Sequence, residues 1–303
     1  MRADPAKTPR RREAAKAEDL DCATAFQAMA LGCVAAIEAH HGSACAGDAE
    51  AVHQIRIAIT RLRAAVAFFA PFVVDAEWLR LKKEIAWLNG PLGAARDSDV
   101  VVEYSRRKRY RAWAQHMIGQ RLAQRQMRDH RRLVRCLRSG RTQRLVAAMD
   151  GWIRRGAWLE RYTQRKNRQT LRGYCTSELD CWHKRLIRKG RHLKTLGASP
   201  RHRLRIKAKR LRYMLEALRE TDALRGRDKL QQLHRPAKQL QRTLGDLRDL
   251  KRFADHADKS LSGSGKAARK HPPGYRHRTE KLLNAAIAAY RDLKDARAAS
   301  PFA

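Results

Sequence analysis

The amino-acid sequence predicts an all-α protein built from two similar halves. Ala, Leu and Arg dominate the composition, whereas the 303 residues include only 17 glycines and 9 prolines. Residues of the first kind are good helix formers, and glycine and proline are the poorest. A pair of motifs that occurs twice in the same order indicates an internal duplication. We therefore expect two pseudo-symmetric four-helix bundles.

The first half is expected to span residues 19–140. Apolar periodicity predicts its four helices, over 21–40, 49–72, 76–105 and 109–138. Pro71 is expected to stop the second helix, and Gly90-Pro91 is expected to kink the third. Residues 1–18 precede this half and are predicted to form a disordered basic tail.

Residues 141–166 are interpreted as a connector, after which the same order of helices recurs over 167–297. The helices of this second half are predicted over 168–191, 200–222, 228–257 and 275–296. Residues 259–274 are rich in Gly, Ser and Lys, so they are expected to form a flexible loop.

Two motifs carry the duplication. The first reads VHQIRIAITRLR at 52–63 and RHRLRIKAKRLR at 201–212, so that a histidine is followed three residues later by an arginine and then by Arg-Leu-Arg. The second reads PLGAARDSDVV at 91–101 and TLGDLRDLKRF at 243–253. The first motifs are offset by 149 residues and the second by 152, an agreement that chance does not readily produce.

The charge balance points to a polyanionic partner. The chain holds 67 Lys and Arg residues against 30 Asp and Glu residues, which gives a formal net charge of +37. Such an excess costs self-repulsion, and a polyanion relieves it. Nucleic acid, an acidic membrane surface and inorganic polyphosphate all satisfy this requirement.

Each copy of the first motif predicts a helix with one polar ridge. A helix advances about 100° per residue, so steps of 0, 3, 7 and 10 residues fall on one side. The ridge residues are His53, Arg56, Thr60 and Arg63 in the first copy and His202, Arg205, Lys209 and Arg212 in the second. The ridge is roughly 15 Å long and can meet several phosphates, which guanidinium groups bind with paired hydrogen bonds. A solvated face and ion pairing within the bundle are the alternatives, and the repetition of the spacing argues against both.

The six cysteines do not indicate a metal site or disulfides. They form no CxxC pair and no zinc-ligand spacing, so they are expected to be small apolar residues in a reducing cytosol. The N-terminal stretch lacks the apolar segment of a secretory signal. No run of about 18 apolar residues is found, so no segment is expected to insert into a membrane.

Catalytic motifs are also missing, and we expect a protein that is not an enzyme and needs no cofactor. Neither a Walker loop nor GxSxG nor HExxH occurs. The closest acidic residues, Asp97 with Asp99 and Asp246 with Asp249, stand beside arginines and are interpreted as structural. Metal-dependent phosphohydrolysis would need clustered carboxylates and remains a third hypothesis.

The pattern H-x-x-R-[VI]-x-x-x-R-L-R, followed by L-G-x-x-R-D and then repeated, resembles the CHAD (conserved histidine α-helical domain) family. The resemblance extends over about 20–297. It implies two four-helix bundles with twofold pseudo-symmetry that bind inorganic polyphosphate, associate with polyphosphate granules in the cytoplasm and have no catalytic activity of their own.

The resemblance also implies the residues that contact polyphosphate. Carried over by position or added as supporting candidates, they are His53, Arg56, Arg61, Arg63, Lys82, Lys83, Arg96, His202, Arg205, Lys209, Arg210, Arg212, Arg235, Lys238 and Arg248. Thr60 departs from the family pattern, since a basic residue is usual seven positions after the histidine. The first half is therefore expected to bind less tightly there, with the basic stretches 105–111 and 128–144 compensating.

Nonspecific nucleic-acid binding is the alternative function, because phosphate contacts dominate that interaction as well. Binders of single strands usually add aromatic side chains on which bases stack. Tyr213 is the only aromatic residue between positions 201 and 215, which favours polyphosphate.

Overall fold

The computed structural model describes residues 21–165, 170–220, 227–261 and 271–296, and within them every regular element is a helix. The helices are α1 (Cys22–Cys45), α2 (Ala49–Phe68), α3 (Ala70–Val73), α4 (Ala76–Arg106), α5 (Arg111–Leu137), α6 (Gly140–Arg155), α7 (Ala157–Thr163), α8 (Leu171–Gly190), α9 (Ala198–Glu220), α10 (Arg227–Leu261) and α11 (Tyr275–Asp295). The all-α prediction is confirmed.

Local sequence signals explain where the first long helices begin. Asp21, Asp48 and Asp75 precede α1, α2 and α4, and each side chain accepts a hydrogen bond from a backbone N–H of the first turn. Such aspartates satisfy amide groups that have no partner within the helix. Helix α4 nevertheless runs through Pro91 as one element, and Pro71 lies inside the short α3 after α2 has ended at Phe68.

The stretch interpreted as a connector is mostly helical and belongs to the core. Helices α6 and α7 cover most of residues 141–166, and they bury Trp152 and Trp158. Both indole rings pack edge-on against Phe26 of α1, with centroid distances of 5.7 and 5.2 Å. The predicted tail at 1–18 lies outside the described residues, as does most of the predicted loop, because α10 continues to Leu261 and the description resumes at residue 271.

Helix α1 has the length and the apolar composition of a membrane-crossing helix. This differs from the expectation that no segment of the sequence has them. In the structure 44% of its most apolar window is buried, and α1 packs against α2 and α6. A buried core helix commonly shows the same composition.

Four helices surround the centre of the molecule and carry the duplicated motifs. Helix α2 packs against α9 and α4, and α10 packs against α9 and α4. The main hydrophobic core lies behind them, while a smaller cluster around Phe253 joins α4, α5, α10 and α11. The polar faces of α2 and α9 therefore meet at the centre, between the second motifs on α4 and α10.

Candidate anion-binding site

Helices α2 and α9 bury their apolar stripes and turn their polar ridges toward each other. Ile55, Ile59 and Leu62 are buried on α2, as are Leu204 and Leu211 on α9. The ridge residues on the opposite sides are all partly buried. At the crossing of the two helices, the Lys209 Nζ donates to Thr60 Oγ1 at 3.4 Å.

The second motifs bring one arginine and one aspartate from each half to the same place. Arg56 of α2 lies within electrostatic reach of Asp97 on α4, and Arg205 of α9 lies within reach of Asp249 on α10. The direct hydrogen bond to Asp97 comes instead from Arg252, whose Nη1 also lies 4.0 Å from Asp249. Arg252 therefore links α10 to α4 through Asp97, and it lies close to Asp249 on its own helix.

We call this group of side chains the central cluster. It consists of Arg56, Arg96, Arg205, Lys209, Arg212, Arg248, Arg252, His53 and His202. The carboxylates that oppose it are Asp97, Asp249 and Glu216. Cations thus outnumber carboxylates in a partly desolvated place, where repulsion between like charges is stronger than in water.

This crowding disfavours the protonated forms of the central cluster. Burial, followed by the neighbouring Arg205 and Arg56, lowers the pKa of Lys209 to about 7. Burial and the neighbouring Arg252 lower the pKa of Arg248 to about 10. Both shifts have the sign expected for a desolvated cation among other cations, and an anion placed here would reverse them.

The two motif histidines are held in their neutral form by the same effect. Burial, followed by Arg96, lowers the pKa of His53, and burial, followed by Arg248, lowers the pKa of His202. The Nδ1 atoms of both rings are buried and have no hydrogen-bond partner among the described residues. These nitrogens therefore make no structural hydrogen bond that would account for their position.

Unpartnered polar atoms continue along α9. The Nε atom of Arg205 is also buried without a hydrogen-bond partner in the described part of the chain, whereas the Nε atom of Arg212 lies 3.4 Å from Glu216 Oε1. Folded proteins rarely leave buried donors unpaired, because each one loses its hydrogen bonds to water. An oxyanion is the ligand that such donors, surrounded by positive charge, would accept.

The site candidates outside the central cluster lie in different places. Arg61 and Arg212 meet at Glu216, at 3.5 and 3.4 Å, whereas Arg63 lies near Arg210. The supporting candidates Lys82, Lys83, Arg235 and Lys238 are exposed. Among the described residues, no hydrogen bond or ion pair joins these four to the central cluster, so the structure does not bring them into it.

Sequence analysis missed Arg252, Glu216 and His234. Arg252 lies one turn after Arg248 on the same helix face, and that spacing could have identified it. His234 Nε2 lies 3.0 Å from Glu216 Oε1, which makes this carboxylate a shared partner of three basic side chains. No local spacing indicates this pairing, because it joins α9 to α10 and α2.

The site offers nothing suited to a resident metal ion. Across the described ranges, no group of three or more His, Cys, Asp or Glu side chains could hold one.

The fold and the central cluster define an all-helical protein with an excess of buried positive charge at the crossing of two repeated helices. The model of the CHAD domain family matches residues 28–258. The chain therefore belongs to the CHAD domain family.

Two solved structures are similar to the chain. One is the crystal structure of the CHAD domain from the plant Ricinus communis, with 23% identity, a TM-score of 0.69 and coverage of 93% of this chain and 92% of that one. The other is PptA from Streptomyces chartreusis, with 15% identity, a TM-score of 0.58 and coverage of 91% and 97%. At these identities the likeness shows the fold alone. No curated protein sequence matches the chain.

Proposed function

We propose that the protein binds inorganic polyphosphate at the crossing of α2 and α9, through the central cluster. The observation that carries this proposal is the set of buried nitrogen atoms on His53, His202 and Arg205 that have no hydrogen-bond partner among the described residues and lie within an excess of cations. A chain of phosphates supplies one charged acceptor after another at short spacing. It would pair these donors and offset the repulsion among the cations at the same time.

Polyphosphate suits the central cluster better than nucleic acid. Tyr213 is the aromatic side chain at this crossing, and its ring is buried beneath the side chains of Arg61, Lys209 and Arg212. It therefore offers no open face on which a base could stack, which is the contact that single-strand binders usually add.

A competition experiment tests this preference. Labelled long-chain polyphosphate is bound to the protein, and unlabelled polyphosphate, RNA or DNA is added at equal phosphate concentration and fixed salt. We expect polyphosphate to displace the label at a lower concentration than either nucleic acid. Equal displacement by RNA or DNA would favour nonspecific nucleic-acid binding instead.

Two double variants test the location of the site. His202→Ala with Arg205→Ala removes two members of the central cluster, and Lys82→Ala with Lys83→Ala removes two exposed cations from α4. We expect the first to weaken polyphosphate binding at least about tenfold, because hydrogen bonds to charged groups contribute about 1.5–3 kcal/mol. The second is expected to change affinity much less. Unchanged affinity in a folded first variant would contradict the assignment.

We also propose that the two halves are pseudo-symmetric four-helix bundles that arose by duplication. The hydrogen bond between Lys209 and Thr60 supports this, since its partners are separated by 149 residues, the offset of the first motifs. A comparison of the backbones of 21–137 and 171–295 after superposition tests it. A superposition that does not pair α2 with α9 and α4 with α10 would argue against the duplication.

The protein is further proposed to act as a binding module on polyphosphate granules in the cytoplasm, without catalysis. The carboxylates Asp97 and Glu216, which oppose the central cluster, are engaged by arginines, and this supports a binding role. Incubation with polyphosphate should therefore release no phosphate above the background. Imaging of a fluorescent fusion should show it on granules, and a diffuse signal in cells rich in granules would oppose the localisation.

A further inference from the structure

A cavity of about 260 Å³ lies between α1, α2 and α9, and Arg61 is one of the residues that line it. Six of the thirteen residues that line it are alanine or glycine, and they are Ala28, Gly32, Ala36, Ala58, Ala65 and Ala217. The larger lining residues are Met29, Cys33, Ile57, Tyr213 and Met214, together with the polar Gln54 and Arg61. The cavity exists because no large side chain from the three helices fills the space where they meet.

The lining of this cavity is divided about equally between polar and apolar surface, so it suits a molecule that has both a polar and an apolar part. A volume of about 150 Å³ is enough to hold benzene, so this cavity has room for a short alkyl chain. Its rim is open to solvent, because Ala28 and Gly32 are exposed. At Gly32 there is open space, since no heavy atom lies within 4 Å of the position that a Cβ would take. Burying apolar atoms of a ligand here removes them from water, which is the main source of affinity in such pockets.

Arg61 places a positive charge on the wall. Its nearest carboxylate, Glu216, lies at 3.5 Å and also contacts Arg212 and His234. The negative charge of Glu216 is therefore divided among three basic groups. The side chain of Arg61 is 46% exposed, so its guanidinium keeps donors available for a second acceptor.

We propose that this cavity binds a small molecule with an apolar body and one carboxylate, whose head group pairs with Arg61. A guanidinium binds a carboxylate with two parallel hydrogen bonds, whereas a cationic head group would be repelled. Inorganic phosphate lacks the apolar body that the walls accept. None of the central-cluster residues lines the cavity, although Arg61 shares its partner Glu216 with Arg212 of that cluster.

Four matched probes test the chemistry, and isothermal titration calorimetry measures their binding. Octanoate carries both features, octan-1-ol lacks the charge, octylamine reverses it, and acetate lacks the apolar body. We expect octanoate to bind at one saturable site. The affinity for octan-1-ol should be at least about tenfold lower. Octylamine and acetate are expected to show no saturable binding. Absence of saturable octanoate binding, or equal binding of octylamine, would overturn the proposal.

Two glycines of α1 offer a matched pair of variants for the location. Gly32 lines the cavity, whereas Gly42 lies on the same helix outside it, and at both positions a Cβ would meet no heavy atom within 4 Å. Gly32→Leu should abolish octanoate binding, and Gly42→Leu should leave it unchanged. Retained binding in Gly32→Leu contradicts the location. If that variant does not fold, Ala217→Leu blocks the cavity from α9 and is judged by the same criterion.

A third variant tests the role of the charge. Arg61→Met keeps an apolar side chain of similar length but removes the guanidinium. We expect it to bind octanoate no better than octan-1-ol, while octan-1-ol binds as it does to the unmodified protein. An unchanged preference for octanoate would exclude Arg61 as the partner of the carboxylate and overturn the proposal.

Discussion

Lys209 Nζ donates a hydrogen bond to Thr60 Oγ1 at 3.4 Å, and the two residues are separated by the same 149 positions as His53 and His202. The proposed twofold pseudo-symmetry would produce such a contact, because equivalent positions of two repeats meet where a twofold axis passes between them. From the sequence, Thr60 was interpreted as the loss of a basic residue that weakens polyphosphate binding by the first half. Its contact gives a different reason for the threonine, since a lysine there would point its charge at Lys209.

Replacement of Thr60 by lysine tests this reason. We expect Thr60→Lys to lower the free energy of unfolding by about 1–3 kcal/mol in the absence of a polyanion, because two desolvated ammonium groups would face each other. Urea denaturation measures the change. Gln143→Lys adds the same charge at an exposed position of α6 and should change stability by less than about 0.5 kcal/mol. Equal stability of the two variants would show that Lys209 and position 60 do not oppose each other.

The helices and the ridge could be predicted from the sequence because both depend on local periodicity. Apolar residues at every third or fourth position predicted α2 and α9. The same pattern placed Arg56 and Arg205 on the side of each helix opposite the core, where the structure has them partly buried. The same signal was present in α6, where Leu145, Met149 and Trp152 share one face, but the stretch was interpreted as a connector.

Contacts between distant helices could not be predicted in this way. Arg252 stands opposite Val100 in the alignment of the second motifs, so the duplication gave no indication that Arg252 links Asp97 to Asp249. The grouping of basic residues around particular carboxylates could not be predicted for the same reason. Arg61 and Arg212 share Glu216 because α2, α9 and α10 meet there, and this meeting depends on tertiary packing alone.

Binding of polyphosphate is expected to take up protons at slightly alkaline pH. The pKa of Lys209 lies at about 7 in the free protein because of burial and the surrounding arginines, so the side chain is largely neutral at pH 8.5–9. A bound polyanion favours the ammonium form and raises this pKa. Affinity should therefore fall as the pH rises above about 7. Titration calorimetry in two buffers of different ionisation enthalpy measures the uptake, and Lys209→Met should lose most of it.

The same group affects stability in the opposite direction. The unfolded chain keeps the ordinary lysine pKa of 10.5, so between about pH 7 and 10.5 the unfolded state binds more protons at this position than the folded state. Stability of the free protein should therefore rise with pH across this window, by up to about 1.36 kcal/mol per pH unit for one proton. Urea denaturation at several pH values checks the slope. A slope that is the same in Lys209→Met would assign it to other groups.

Asp97 is expected to stabilise the central cluster. The side chains of Asp97 and Arg252 are 32% and 24% exposed, and removal of the carboxylate leaves the arginine without its direct partner. Asp97→Asn should lower the free energy of unfolding by about 1–3 kcal/mol, less than the loss of a fully buried partner causes. The cost should shrink when polyphosphate is present, because bound phosphate supplies the missing negative charge.

The control for this variant is Asp255→Asn on α10. Asp255 and its partner Lys251 are half exposed, and exposed ion pairs contribute little to stability. We expect a change of less than about 1 kcal/mol that does not depend on polyphosphate. If added polyphosphate left the cost of Asp97→Asn unchanged, the carboxylate would have a packing role separate from the charge balance of the cluster.

The contact of α8 with α11 provides a test of the fold itself. A Cβ at Gly190 would lie 2.7 Å from Cδ2 of Tyr290, and the hydroxyl of that tyrosine is fixed by donation to the carbonyl of Ile187 at 2.8 Å. Gly190→Ala should therefore force the ring or the helix to move and lower the free energy of unfolding by about 1–3 kcal/mol. Gly42→Ala should instead raise it by about 0.5–1 kcal/mol, since a Cβ meets nothing there and alanine favours a helix. Thermal and urea denaturation measure both, and changes of the same sign would show that Tyr290 does not pack on Gly190.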